Sequence, residues 1–455
     1  MRQSEPRAAP AARRPSSSTP SVGFVSLGCP KATVDSEKIL TRLTGSGYRI
    51  AADYEGADVV VVNTCGFLDA ARDESFEAIE EALAEHGRVV VTGCLGAEGE
   101  ALGARYPDLL AVTRPHDYDA VVAAVRAAAP PAYGCAPSPA AAPGRIALTP
   151  PHYAYLKVAE GCDHRCTFCI IPSMRGRLVS RRIDEVMQEA ETLVASGVRE
   201  LIVIAQDTSA YGVDLRYAPG TWRGRAWPSR FRDLCAALAE LGVWVRMHYV
   251  YPYPHVDDVI PLMREDGLLP YLDVPFQHGS PKILKAMRRP AGAEDTLRRL
   301  ENWRAMCPEL VVRSTFIVGF PGESEADFET LVDFIEAAKL DRVGCFTYSP
   351  VAGAAANALP GAVPHEVALE RKEALMRRQQ AISAALLSER IGRVLSVIVD
   401  EVDGERVIGR SYADAPEIDG LVYVACDEDV PRAGEVVSVR ITASGDHDLW
   451  GERVA

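Results

Sequence analysis

Residues 153–169 read YAYLKVAEGCDHRCTFC. The first six residues form an aromatic and apolar run of strand character. A loop follows at once, with Cys162, Cys166 and Cys169 spaced CxxxCxxC. That spacing lets three thiolates from one loop face a common point. A four-iron cluster takes four ligands, so three cysteines leave one iron open, much as a catalytic zinc keeps a position for water. An open iron can hold a small molecule through its amino and carboxyl groups. In a β/α barrel the C-terminal strand edge is where active sites form, and this loop leaves such an edge. A zinc site completed by His164 or by a distant residue is the plain alternative.

Downstream, strand and helix patterns alternate. Further strands are expected at residues 201–205, 243–250, 271–275, 311–319 and 343–348, with helices over 184–196, 231–241, 293–306 and 324–338. Six β/α units amount to about three quarters of an eight-fold barrel, so an open, partial barrel is expected over residues 151–387. A long helix over 365–391 closes the segment. After it come short strands in RVLSVIVDEV, DGERVIGRSY, GLVYVAC and GEVVSVRITA. They predict a small all-β barrel over 388–455.

Upstream, residues 21–126 alternate in the same way. VGFVSL, ADVVVVN and RVVVT read as strands, and 34–43 and 73–84 as helices. Helical crossovers between short apolar strands imply a parallel sheet. Cys29, Cys65 and Cys94 each lie just beyond one of these strands. In a parallel sheet those ends share one edge, so three thiolates from separate loops would converge there. Gly28, Gly66 and Gly93 flank them and would permit tight turns. The alternative is three buried core cysteines, which would lie within strands rather than repeatedly at the same end. Residues 127–150, rich in Ala and Pro, read as a linker, with Cys135 inside it inert or merely exposed. Residues 1–20 carry the Arg/Ser bias of a transit peptide, yet a disordered tail is the simpler reading. The chain is thus an α/β multidomain protein.

The eleven cysteines are odd in number, and no apolar export signal precedes them. That argues for a reducing, cytoplasmic setting and for metal or catalytic use. No stretch has the length and apolarity of a spanning helix, so no membrane partner is expected. The net charge of −14 points away from a generic nucleic-acid binder and towards basic partners.

CDHRCTFC after a first strand, including Phe168, resembles the signature of the radical SAM superfamily. FIVGFPGE (316–323) resembles its glycine-containing strand end that contacts S-adenosylmethionine (SAM), and AQDT (205–208) falls where that superfamily contacts the methionine part of SAM. The resemblance implies that Cys162, Cys166 and Cys169 hold a 4Fe-4S cluster whose open iron chelates SAM. One electron then cleaves SAM to methionine and a 5′-deoxyadenosyl radical. SAM is expected against Phe168, Ile170, Gln206, Asp207, Thr208, Gly319, Gly322 and Glu323. Together with the N-terminal trio and the terminal β module, which resembles a TRAM domain, the chain is similar to the methylthiotransferase family from about Val22 to its end. SLGCPKATVDSE resembles that family's first motif, with Ala32 where Asn is usual. This implies a second 4Fe-4S cluster on Cys29, Cys65 and Cys94. It also implies SAM as both radical source and methyl donor, a sulfur donor, and an electron donor such as flavodoxin or ferredoxin. No catalytic residue beyond the cluster ligands is named by the resemblance.

Members of that family modify either a tRNA adenosine or the β-carbon of an aspartate in small-subunit ribosomal protein twelve. Residues 388–455 hold seven Arg, no Lys and fifteen Asp plus Glu, a balance of 7 − 15 = −8. Such a module would repel phosphate and attract a basic protein, so it is expected to dock a ribosomal protein, with no stable nucleic-acid partner. RSYADAPEIDG (410–420), DHDLWG (446–451), HYVYP (248–252), YLDVPFQH (271–278) and KAMRRP (285–290) resemble the protein-modifying branch. The basic run RKEALMRRQQ (371–380) is either an RNA contact or a solvated helix face. His248 and His278 are either barrel-core or catalytic residues. Other readings are a tRNA methylthiotransferase, a radical SAM methyltransferase without sulfur insertion, and a non-enzymatic iron–sulfur redox protein. A redox carrier, however, needs neither a barrel nor an open iron.

Overall fold

The computed structural model describes residues 19–131, 145–264, 267–289, 293–404, 406–425 and 430–454. The expected tail falls outside the described residues except for its last two positions, as do Cys135, Cys426 and the acidic run 427–429. The chain forms two compact units, residues 1–66 with 70–146, and residues 67–69 with 147–455.

The first unit is a five-stranded sheet in the order β2-β1-β3-β4-β5. Its strands are β1 (Ser21–Ser26), β2 (Arg49–Ile50), β3 (Val59–Thr64), β4 (Val89–Gly93) and β5 (Ala111–Val112), all paired in parallel. The continuous valine runs follow from burial on both faces. Val59, Val61 and Val90 pack with Ile39 and Leu43 of α1 (Pro30–Gly45). Val60, Val62, Val89 and Val91 pack on the other face with Ile79 and Ala82 of α2 (Asp69–Glu85) and Leu102 of α3 (Gly99–Arg105). Helix α4 (Tyr118–Ala128) adds Val121 and Val125 to the α1 face. The sequence reading omits α4, although its start is marked by Asp117, whose side chain accepts from Ala120 N at 3.1 Å as an N-cap. Helix α1 begins earlier than expected because Pro30 suits the first helical turn.

The second unit opens with a six-stranded parallel sheet in the order β15-β14-β13-β12-β9-β6. These strands are β6 (Tyr153–Lys157), β9 (Glu200–Ile204), β12 (Trp244–Met247), β13 (Leu268–Asp273), β14 (Val311–Val318) and β15 (Arg342–Thr347). Two short ribbons lie between them in sequence, β7 (Ala159–Glu160) with β8 (Val179–Ser180) and β10 (Pro219–Trp222) with β11 (Arg225–Pro228). The helices are α5 (Ile171–Arg175), α6 (Ile183–Ala195), α7 (Phe231–Ala239), α8 (Pro281–Ala286), α9 (Ala293–Met306), α10 (Glu325–Ala338) and α11 (His365–Ser388). This is the expected open partial barrel. Strand β12 is half the expected length: the chain turns out at Tyr249, whose φ is +58° and whose N–H donates to Asp273 Oδ2 at 3.1 Å. Helix α11 buries one stripe, Ala368, Arg371, Leu375, Gln379, Ser383 and Leu387. Leu375 joins the barrel core and Leu387 the core of the module that follows.

That module is a closed barrel in the order β16-β17-β18-β20-β19. Its strands are β16 (Val394–Asp403), β17 (Arg406–Ser411), β18 (Val422–Ala425), β19 (Val436–Ser444) and β20 (Leu449–Arg453). Its β17–β18 connection, residues 412–421, meets residues near the start of the larger barrel's strands. Glu200, fully buried, takes Arg246 Nε at 2.7 Å and an Arg410 Nη at 2.6 Å. Arg410 also grips Asp400 at 2.8 Å, and His152 bonds the same carboxylate at 2.8 Å. Arg342 pairs with Asp414, Tyr271 donates to Asp419 at 2.6 Å, Tyr153 donates to Glu417 at 2.8 Å, and Arg246 donates to the Tyr412 carbonyl at 2.7 Å. RSYADAPEIDG is therefore a seam motif at the N-terminal end of the barrel strands, the end associated with stability. Asp400, Asp414, Glu417 and Asp419 are spent there, so the balance of −8 overstates the field the module offers a partner.

Buried ions of this kind are costly once a partner is removed. Arg410→Ala should destabilise the full-length chain by about 3–5 kcal/mol, read from urea unfolding; a loss below about 0.5 kcal/mol, the surface-substitution range, would refute the seam's role. Burial alone would raise the pKa of Glu200, but Arg410 and Arg246 more than reverse it, and Asp400 is likewise held low by His152 and Arg410 against burial. Their contribution is complete above the ordinary carboxylate pKa of about 4 and is lost as pH falls through the lower folded values. The gap between wild type and Arg410→Ala should thus narrow in acid. By the same argument, removing residues 388–455 should cost the fold of the remaining barrel, seen as insolubility or lost cooperative unfolding, rather than merely detach a docking module.

Candidate active site: thiol groups at the strand ends

Cys162, Cys166 and Cys169 lie on the loop between β7 and α5, beyond the C-terminal end of β6 in the barrel sheet, each partly exposed. The loop is clamped from three sides. Cys162 N donates to the Gly176 carbonyl at 3.1 Å. Thr167 donates through N to the Met287 carbonyl at 3.1 Å and through Oγ1 to the Ala286 carbonyl at 2.9 Å, and its own carbonyl accepts from Ala356 N at 2.8 Å. Burial pushes the Cys162 thiol up to about 11 and the Cys169 thiol up to about 12, and each feels its neighbouring thiols. A metal centre that took these two as ligands would have to displace their protons. Three soft donors on one braced loop, with no carboxylate among them, suit an iron–sulfur centre.

His164, inside the same loop, braces it. Its Nε2 lies 2.9 Å from Asp207 Oδ2 and 2.8 Å from the Tyr253 hydroxyl, and its ring stacks on Tyr251 at 4.0 Å. Asp207 is buried and also takes Ser209 Oγ at 2.8 Å and Ala210 N at 3.1 Å. Thr208 is buried with its hydroxyl donated to the His248 carbonyl at 2.6 Å. These two residues of AQDT therefore tie strand ends together. Gln206 differs: its Nε2 donates to Glu160, while its buried Oε1 has no hydrogen-bond partner among the described residues. It is the AQDT side chain with an acceptor left over for a ligand. Glu160 further pairs with Lys157 at 2.8 Å and Arg175 at 3.2 Å.

FIVGFPGE forms the end of β14 and the turn after it. Gly319 has φ +73°, and a Cβ there would come within 2.4 Å of the Ala368 Cβ of α11. Glycine is demanded there by the turn and by the helix packed on it. Gly322 N donates to the Gly361 carbonyl at 2.7 Å. Glu323 is buried, accepts from Phe320 N at 3.2 Å, and pairs with Arg371 at 2.9 Å. Arg371 is accordingly an internal partner and leaves the basic run of α11, in which Arg378 also pairs with Glu336 at 2.7 Å. Phe168 packs with Ile283, Met287 and Phe320, and Ile170 is buried at the start of α5. His278 is buried, accepting from Ser280 N at 2.9 Å. His248 is buried and stacks on Tyr271 at 5.6 Å, its pKa pushed down to about 3 by burial. Both histidines are core residues.

In the first unit, Cys29 is the N-cap of α1, Cys65 follows the last residue of β3, and Cys94 follows the last residue of β4. Thr64 is paired with Gly93 in the sheet, so Cys65 and Cys94 leave neighbouring strands in step. Gly28 has φ +99°, and a Cβ on it would sit 3.1 Å from the Cys65 Cβ and 3.4 Å from its Sγ. A Cβ on Gly66 would lie 3.5 Å from that of Cys94. The three cysteines are gathered at one sheet edge rather than spread through the core.

The sequence reading missed several residues around the barrel loop. Tyr251, Tyr253 and Arg289 contact it, and with Phe276 they follow strand ends or the α8 turn. Tyr251, Tyr253, Phe276, Arg299 and Trp303 help line a cavity of about 430 Å³ beside it. The signal available was HYVYP and KAMRRP, aromatic and basic residues just past apolar runs.

Residues 156–335 match the Radical SAM superfamily model, 391–454 the TRAM domain, and 21–111 the model described as Uncharacterized protein family UPF0004. A ribosomal protein uS12 methylthiotransferase RimO from Bordetella pertussis is 60% identical over 439 residues, 96% of this chain and 100% of the relative. Proteins of the same name from Azoarcus sp. (61%, covering 96% of this chain and 98% of the relative) and Pseudomonas aeruginosa (58%, covering 96% and 100%) agree. Among solved structures, the radical S-adenosylmethionine methyltransferase TsrM from Kitasatospora setae, with cobalamin and a [4Fe-4S] cluster bound, superposes with a TM-score of 0.51 at 14% identity, covering 73% of this chain and 77% of that one. That likeness speaks for the fold alone. With these matches the zinc reading of the cysteine loop lapses, and the chain belongs to the RimO family of methylthiotransferases within the radical SAM superfamily.

Proposed function

We propose that this chain is a radical SAM methylthiotransferase that adds a methylthio group to the β-carbon of an aspartate in ribosomal protein uS12. The observation that carries the reading is that two thiol trios each stand at the C-terminal edge of their own parallel sheet, in a chain about 60% identical to RimO relatives along their full length. Cys162, Cys166 and Cys169 would hold the 4Fe-4S cluster that binds SAM, and Cys29, Cys65 and Cys94 a second 4Fe-4S cluster. When bound, SAM supplies a carbon-centred radical at one turnover step and a methyl group at another.

The protein's own part is to place and shield. His164, Asp207, Tyr251 and Tyr253 fix the cysteine loop. The spare Gln206 carbonyl is the acceptor suited to the amino group of SAM, with Glu160 holding its amide in place. Phe168 and Ile170 supply apolar walls beside it. Gly319, Gly322 and Glu323 shape the neighbouring loop from behind. A sulfur donor and a low-potential electron donor of the flavodoxin or ferredoxin class complete the reaction, which takes place in the cytoplasm, where ribosomal protein is available. Among the described residues no helix is long and apolar enough to cross a membrane. A basic protein suits the acid of the terminal module that the seam leaves free, such as Glu401, Glu435 and Glu452, exposed on β16, before β19 and on β20.

Two outcomes test this. Replacing Cys162, Cys166 and Cys169 together by Ala should leave about half of the wild-type iron after anaerobic reconstitution and abolish SAM cleavage; wild type that holds one cluster's worth of iron would refute the two-cluster reading. Anaerobic incubation with SAM, sulfide and reductant should raise the mass of uS12 and leave tRNA unchanged. Methylthiolated tRNA with unmodified uS12 would instead assign the chain to the adenosine-modifying branch, and methylation without sulfur would assign a methyltransferase.

A further inference from the structure

Arg289 is left unexplained by the chemistry above. It sits one residue beyond Arg288, in the turn that follows α8. Its Nη1 approaches the Cys166 sulfur at 4.0 Å. Its other Nη donates to the Pro275 carbonyl, its backbone N donates to the Leu284 carbonyl at 2.8 Å, and its guanidinium lies 4.1 Å above the ring of Tyr251. Tyr251 in turn stacks on His164 of the cysteine loop. The cation is therefore held from three sides and aimed at one thiol of the trio. The same turn supplies the carbonyls of Ala286 and Met287 that clamp Thr167, the residue after Cys166. Loop position and loop electrostatics thus come from one turn.

A fixed positive charge beside a thiolate ligand acts on the one-electron chemistry of a cluster. Reduction adds one negative charge with no bond made or broken, and the added charge is spread over iron and sulfur. A nearby cation stabilises the reduced form more than the oxidised one, so it raises the reduction potential; net charge and hydrogen bonds to sulfur are the known levers on that potential. A guanidinium suits this role because it stays charged and stacks on an aromatic face while donating.

We propose that Arg289 is a positioning residue that raises the reduction potential of the cluster held by Cys162, Cys166 and Cys169, making it accessible to a one-electron donor. The inference rests on the reading that this trio binds a 4Fe-4S cluster. It gives the two consecutive arginines of KAMRRP different places, Arg288 exposed and Arg289 held inward.

The test is an EPR-monitored potential titration of the full-length, two-cluster protein with a chemical one-electron reductant, with and without SAM. SAM perturbs the signal of the cluster it binds and so identifies it. Arg289→Gln should make one-electron reduction of that cluster about tenfold less favourable, a fall of about 59 mV, while the other cluster is unmoved. Arg289→Lys keeps the charge and should recover most of the shift. Arg288→Gln removes an equal charge from the exposed neighbour and should leave both potentials unchanged. Full iron in Arg289→Gln with an unmoved potential would overturn the proposal, as would an equal fall in Arg288→Gln. If Arg289→Gln loses its cluster, the Lys variant decides: loss of potential despite retained charge and iron would assign Arg289 to packing alone. Absence of any SAM-responsive signal in wild type would instead overturn the cluster assignment on which this rests.

Discussion

Strand direction is the constraint on which the rest of this protein depends. In a parallel sheet every strand ends at the same edge, so residues placed just after strands meet without being close in sequence. The first unit uses this three times, at Cys29, Cys65 and Cys94, on strands that are adjacent in the sheet. The barrel uses it at Cys162, Gln206 and Asp207, and just beyond the early end of β12 at Tyr251 and Tyr253. The opposite end of the barrel strands carries Tyr153, Glu200 and Arg342, whose partners come from the terminal module or, for Glu200, from both sides. One polarity therefore puts the cysteine loop at one end of the strands and the seam with the terminal module at the other. Water-excluding charge networks hold one end together, while the other end keeps thiols and a spare acceptor for ligands.

That separation changes what the terminal module is for. Its acidic composition invites the reading that it exists to attract a basic substrate. Yet Asp400, Asp414 and Asp419 face Arg410, Arg342 and Arg313, and Glu417 takes a tyrosine. These groups close the barrel floor. Only the remaining exposed acid can act on a partner, and at physiological salt it acts over about 8 Å. Docking and closure are both consistent with the sequence, and the buried pairs belong to closure.

Much of this was legible because burial leaves simple patterns. Valine runs at 59–62 and 89–91 announced a two-sided sheet, and CxxxCxxC announced a donor set. What was not legible depends on tertiary contacts. Arg371 reads as one more base in a basic run, yet it lies on the buried stripe of α11 opposite Glu323. That Ala368 of α11 packs into the space beside Gly319 has no signal in the local sequence either. Strand β12 was overestimated because HYV looks extended, while the turn at Tyr249 is imposed by Asp273 from another strand. Helix α8 was missed because six residues beginning with Pro281 are too few to show helical periodicity.

Gly319 and Arg371 belong to one arrangement. Glu323 receives Arg371 and the Phe320 amide, Lys282 of α8 donates to the Gly322 carbonyl at 2.8 Å and pairs with Asp327 at 2.6 Å, and Ser280 donates to Asp327 at 2.8 Å. The loop after β14 is thereby joined to α8, α10 and α11 together. Helix α8 in turn delivers Ala286 and Met287 to Thr167 of the cysteine loop, and Arg289 to Cys166. A residue such as Arg371 can therefore influence the cysteine loop while touching none of its thiols, through one short helix held at both ends. FIVGFPGE is in this sense a support for the cysteine loop. Its glycines fix the turn on which α11 rests, and its glutamate keeps that helix's arginine neutralised where water does not reach.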